Sequence, residues 1–302
     1  MSEKNSISRS ASFELASKVK DYFQLIKFTL SFMVVFSTVI SYLLVPGIQF
    51  NGIQVLILWV AGLLVTGSAN GINQVFEKDT DALMKRTANR PVASGRMKVS
   101  EANAFIIISA VLGLGMMWYF FNLSSALISL ASLLIYGFIY TPLKKVNSVS
   151  VLVGAIPGAL PCLIGWVAGS DAFTAGGWIL FGIQFLWQFP HFWAIAWVAH
   201  TDYTKAGFKL LPSDKGPTKF TALQAVMYSA MMIPMGILPY YYNISGMFSL
   251  WVVAACNVTM VLLCLQLYLK MDVNSARKVM FGSYFYLMIV LLSLYADKVR
   301  VI

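Results

Sequence analysis

The chain has 302 residues, of which 59% are hydrophobic and only 11% charged, and its mean hydropathy is +0.74. Soluble domains carry about a quarter charged residues, so a water-soluble globular chain is excluded. The net charge of +10 is no argument for nucleic acid, because in a membrane protein the location of charge matters more than its sum.

In chain order, residues 1–21 are a polar, serine-rich N-terminal tail, expected on the cytoplasmic side of a bacterial membrane. Glu3 and Glu14 argue against a mitochondrial transit segment. Residues 22–302 are expected to form one all-α membrane domain. Runs of about 17–25 apolar residues can cross the hydrocarbon core as helices. Nine are present, at 22–45, 53–76, 102–121, 124–141, 149–168, 174–199, 220–241, 246–269 and 279–296. Tight-turn compositions such as Val45-Pro46-Gly47 separate several of them. The fold class is thus a polytopic helical bundle.

Twenty of the 22 Lys and Arg residues precede or begin the first span or follow an even-numbered one. The loops around 46–52, 121–124, 169–173 and 241–246 contain none. By the positive-inside rule the N-terminus and the even-span ends are cytoplasmic, and the C-terminus, with Lys298 and Arg300, is outside. The cytoplasmic connections at 77–101 and 200–219 are the longest, and their mixed charge and apolar residues favour ordered caps over the bundle mouth.

Asn73, Glu77 and Asp81 end the second span at intervals of four, so a helix would align them in one polar stripe. An amide oxygen and two carboxylates suit a hard divalent cation such as magnesium. The alternative is a solvated helix end paired with Lys78 and Lys85. Asp79 lies off the stripe, as a supporting partner or a ligand across the local fold. Arg86, Arg90, Lys144 and Lys145 suit a phosphate-bearing substrate, although topology alone also explains such residues.

Both histidines fall in a second unusual stretch, Trp187-Gln188-Phe189-Pro190-His191-Phe192-Trp193 continuing to His200, Asp202 and Tyr203. Pro190 is expected to kink its span, and Gln188 and His191 share a face. Gly154, Gly158 and Gly165 read as close helix packing. Cys162, Cys256 and Cys264 lack any pair spacing and read as packing residues.

The pattern Asn73-x-x-x-Glu77-x-x-x-Asp81, followed by Met84-x-Arg86-Thr87-x-x-Arg90-Pro91 and Ser94-Gly95-Arg96, resembles the UbiA superfamily of intramembrane prenyltransferases. Tyr140-Thr141-Pro142-Leu143-Lys144-Lys145, Gly158 to Trp166, and the Trp187–Phe192 and Asp202–Gly207 stretches are similar to its protoheme IX farnesyltransferase branch. The resemblance implies nine helices around a central cavity. It also implies farnesyl diphosphate and haem B as substrates, magnesium as cofactor, and haem A synthase or a terminal oxidase as neighbours in the membrane. Asn73, Glu77, Asp81 and Asp202 would be the catalytic metal-binding set. Arg86, Arg90, Lys144, Lys145, Gln188, His191 and Tyr203 would bind substrate, and Trp187, Phe189 and Trp193 would shield a cation or pack on the macrocycle. Neither His191 nor His200 is singled out as the residue that meets haem. Two departures stand out: Glu77 replaces the usual Asp, and Ala206 stands where a second DxxxD motif would end. A prenyltransferase with an aromatic acceptor, or an ion-coupled transporter, remains the alternative reading.

Overall fold

The computed structural model describes residues 16–213 and 216–299. The helices are α1 (Ala16–Leu25), α2 (Phe28–Leu44), α3 (Gly52–Phe76), α4 (Lys78–Ala82), α5 (Val99–Phe120), α6 (Leu123–Leu134), α7 (Thr141–Leu143), α8 (Ser150–Ser170), α9 (Ala175–Val198), α10 (His200–Lys205), α11 (Lys219–Tyr241), α12 (Met247–Lys270) and α13 (Val273–Ala296). A π-helical turn, Ile135–Tyr140, joins α6 to α7. Among the described residues eight helices are long and apolar enough to cross a membrane, and the bent pair α1 and α2, taken as one span, makes a ninth.

That first span is not the single helix expected over 22–45. It bends by 54° between α1 and α2, where Lys27 takes a left-handed conformation with φ 48°. The carbonyls around this break lose helical partners, and α3 supplies replacements. Gln74 Nε2 donates to Gln24 O and Leu25 O at 2.8 and 2.9 Å, while Asn70 Nδ2 donates to Ile26 O at 3.2 Å. The amides of α3 thereby stabilise the break, and the break turns Lys27 towards the bundle interior.

The last span begins at Val273, six residues before the apolar run at 279. Asp272 caps it, its side chain accepting from Ser275 N, so Arg277 and Lys278 fall on its first turns. α9 runs unbroken through Pro190, so the expected kink does not interrupt that helix.

Small residues set the closest approaches. A Cβ at Gly165 would overlap the Thr38 carbonyl oxygen on α2, and one at Gly158 would overlap Gln188 Oε1 on α9. α8 carries Pro157 and Pro161 inside the bundle. The Pro157 carbonyl, which Pro161 cannot serve, accepts from Ser132 Oγ at 3.3 Å. Cys162 Sγ donates to Gln184 Oε1, a packing role, and Cys264 is equally buried.

The described parts of the two long connections meet as caps. Met84 from the first packs with Ala206 and Phe208 from the second. Arg96 ties the first cap to α1 through Asp21 Oδ1 and Gln24 Oε1, each at 2.9 Å. At the opposite end of the bundle, Lys298 Nζ donates to Leu43 O, Val45 O and Ile48 O at 2.7–3.0 Å. This cation stands apart from the other lysines because it closes the carboxyl end of α2.

Candidate functional site

Beneath the caps lies a cavity of about 320 Å³ that reaches residues from both halves of the bundle. One wall is the expected stripe. Asn73 lies on the last turn of α3, Glu77 at the junction with α4, and Asp81 on α4, all three essentially buried. Glu77 N bonds Asn73 O and Asp81 N bonds Glu77 O, so the four-residue register carries through the junction. The stripe is therefore a continuous face, not a solvated helix end. Lys78 and Asp79 point outward and are exposed.

Each of the three oxygen-bearing side chains meets a different cation. Lys27 Nζ donates to Asn73 Oδ1 at 2.6 Å. Lys144 forms an ion pair with Glu77. Arg90 Nη1 donates to both Asp81 oxygens at 2.8 and 2.7 Å. Asn73 is oriented from its other end, Nδ2 donating to Thr141 Oγ1 at 3.3 Å, and Thr141 Oγ1 in turn donates to Tyr136 O at 2.8 Å across the π turn. Burial raises the Asp81 carboxyl above its ordinary range, even with Arg90 beside it. Burial also pushes the Lys144 ammonium down, and Glu77 partly offsets this.

Arg86 is held over Tyr203, with Nη2 2.9 Å from the phenol oxygen and the guanidinium 5.5 Å from the ring centroid. Lys144 sits 5.0 and 5.2 Å from the rings of Tyr140 and Phe208. Two carboxylates thus face four cations, Lys27, Arg86, Arg90 and Lys144, and the site keeps a net positive charge for an anionic ligand.

Among the residues expected from sequence, the cavity is lined by Asn73, Glu77, Asp81, Arg86, Arg90, Lys144, His191 and Tyr203. Three others lie elsewhere. Asp202 precedes Tyr203 on α10 and is half-buried outside the lining, since adjacent helical positions diverge by about 100°. Lys145 is exposed beside Lys144 for the same reason. Gln188 is buried between α8 and α9, donating to Ala155 O and Gln184 O.

The aromatic lining also differs from expectation. Phe189 and Trp193 pack on Tyr228 in the core, and Trp187 stacks on His191 outside the lining. The rings at the cavity are Tyr136, Tyr140, Phe192, Tyr203, Phe208 and Tyr284. Lys27 was legible only as a topology charge. The signal for its role is a lone cation inside the first apolar run, where an ionisable group normally faces a cavity.

Among the described residues no three His, Cys, Asp or Glu side chains converge to hold a metal. The donor set is instead one amide and two carboxylates. That set fits magnesium, which takes one or two carboxylates and keeps positions for water and phosphate oxygens.

Residues 34–289 match the model of the UbiA prenyltransferase family. The chain is 41% identical over 285 residues to a protoheme IX farnesyltransferase of Cytophaga hutchinsonii, covering 94% of this chain and 100% of that one. It is 38% identical over 290 residues to a protein of the same name from Flavobacterium psychrophilum, covering 94% and 96%. Among solved structures, a digeranylgeranylglyceryl phosphate synthase superposes with a TM-score of 0.78 at 23% identity, over 93% of this chain and 98% of that one. A UbiA homologue from Archaeoglobus fulgidus bound to GPP and Mg2+ gives 0.67 at 16% identity, over 91% and 99%. These structural likenesses speak for the fold, and the sequence matches for more: the chain belongs to the UbiA prenyltransferase family.

Proposed function

We propose that the protein transfers a farnesyl group from farnesyl diphosphate to a vinyl group of haem B, giving haem O and diphosphate. The observation that carries this reading is one cavity whose lining brings together two chemically different groups: the Asn73–Glu77–Asp81 stripe with its four cations, and His191 with Phe192, Ile195 and Tyr284. The shared name of the relatives supports haem as the acceptor.

Asn73, Glu77 and Asp81 would hold magnesium, which when bound neutralises diphosphate charge as a Lewis acid. Lys27, Arg90 and Lys144 exchange their present partners for diphosphate oxygens, so the anion enters a site already organised around it. The isoprenoid lies in an apolar cleft that shares Leu30 and Tyr136 with the cavity and continues past Val34, Val65 and Leu133. The allylic C–O bond breaks, its electron pair leaves with diphosphate, and the aromatic lining shields the farnesyl cation. The haem vinyl group then forms the new C–C bond, water adds to the resulting cation beside the pyrrole, and a proton is released. Orientation follows the positive-inside pattern, with the caps and this cavity on the cytoplasmic face of a bacterial inner membrane. A neighbouring haem A synthase or terminal oxidase would receive the product.

The test is direct. Purified protein with haem B, farnesyl diphosphate and magnesium should yield haem O by mass and release diphosphate. Absence of product with haem, and product with a phenolic acceptor instead, would reassign the substrate.

A further inference from the structure

His191 is a buried group at the cavity to which the proposed transfer assigns no particular bond. It is 8% exposed on α9 and lines the same cavity as the stripe. Its Nδ1 lies 2.8 Å from Ser283 Oγ on α13. That hydroxyl has one hydrogen, and the hydrogen is committed. Ser283 Oγ is 2.6 Å from the Met280 carbonyl oxygen, a separation that requires a proton between two oxygens. Ser283 therefore accepts from His191, so Nδ1 carries the ring proton and Nε2 keeps its lone pair. No hydrogen bond to Nε2 is made among the described residues.

The ring is also clamped. It stacks on Trp187 with centroids 4.8 Å apart and planes 17° from parallel, and Tyr284 meets it edge-on at 5.1 Å. Trp187 Nε1 donates to Ser283 O at 2.8 Å, so one serine anchors both rings. An imidazole whose one N–H is given to a protein oxygen, while its bare nitrogen faces a cavity, is arranged as a metal ligand. Phe192, Ile195 and Tyr284 surround it without a carboxylate, which does not suit magnesium, whereas imidazole suits iron.

We infer that His191 Nε2 is the axial ligand of the iron of the haem substrate, and that Ser283 is the positioning residue that sets its tautomer. The inference rests on haem as the acceptor. Ligation holds the macrocycle at this part of the lining, and release of the Fe–N bond, without change of redox state, frees the product.

The experiment is resonance Raman and optical titration of ferrous haem B with the full-length protein in detergent, alongside the haem O assay. Wild type should show an Fe–histidine stretching band. His191→Gly should lose the band and bind haem more weakly, and added imidazole should restore both. Ser283→Ala should keep the band at a lower frequency and weaken haem binding by about tenfold. An unchanged band in His191→Gly overturns the ligation, as does haem O formation by wild type with no such band. If His191→Gly does not fold, an unchanged band and affinity in Ser283→Ala overturns it. Wild type that neither binds haem nor forms haem O defeats the transfer reading itself, and the ligation with it.

Discussion

Lys27 Nζ donates to Asn73 Oδ1 at 2.6 Å, joining the break between α1 and α2 to the last turn of α3. A residue in the first span thereby completes a site that the sequence otherwise places on the second. The break provides the geometry: Lys27 is left-handed at φ 48°, a conformation that costs a residue with a Cβ about 1–2 kcal/mol.

Lys27→Gly separates charge from backbone. Glycine accepts the positive φ, so thermal stability in detergent should stay within about 1 kcal/mol of wild type. Prenyl transfer should fall about 10²-fold, the scale of losing one preorganised donor to a developing anion. Activity near wild type would remove Lys27 from the site.

Asp81 and Arg90 form a pair whose acid is buried and whose guanidinium is one-fifth exposed. Asp81→Ala should abolish turnover and lower stability by about 2–3 kcal/mol, a figure below that of a fully buried pair because Arg90 reaches solvent. Asp81→Ala with Arg90→Ala should regain most of the stability and none of the activity. Chemical denaturation of both variants, with turnover in parallel, reads the two effects separately.

Chelation of divalent cations should stop turnover, and magnesium should restore it. Asn73→Ala should raise the magnesium concentration required by about tenfold or more, because one of three protein donors is lost. Glu77→Asp shortens the arm that meets Lys144 by one methylene. It should retain turnover within about tenfold while changing the magnesium dependence, measured by titration in the haem O assay.

Gly165→Ala places a methyl group against the Thr38 carbonyl oxygen. α2 and α8 must separate, and stability should fall by about 1–3 kcal/mol. The unfolding midpoint in detergent checks this. The same substitution at Gly95, where nothing lies within 4 Å of a Cβ but φ is +77°, tests backbone strain without a clash.

The bundle was legible in the chain alone, because a span needs a continuous apolar run and the hydrocarbon core sets its length. So was the stripe, because Asn73, Glu77 and Asp81 lie on one helical path and their spacing is local. Arg90 and Lys144 were legible as cations close to that path. Tertiary structure alone decided which cation meets which oxygen, since the three pairs join residues 9, 46 and 67 positions apart in the chain. It also decided that Tyr203 rather than Asp202 faces the cavity. One residue turns a side chain by about 100°, and long-range contacts, Arg86 on Tyr203 and Met84 against Ala206 and Phe208, hold α10 in this rotation. Likewise the bare nitrogen of His191 follows from Ser283, 92 residues away, a relationship that no local pattern encodes.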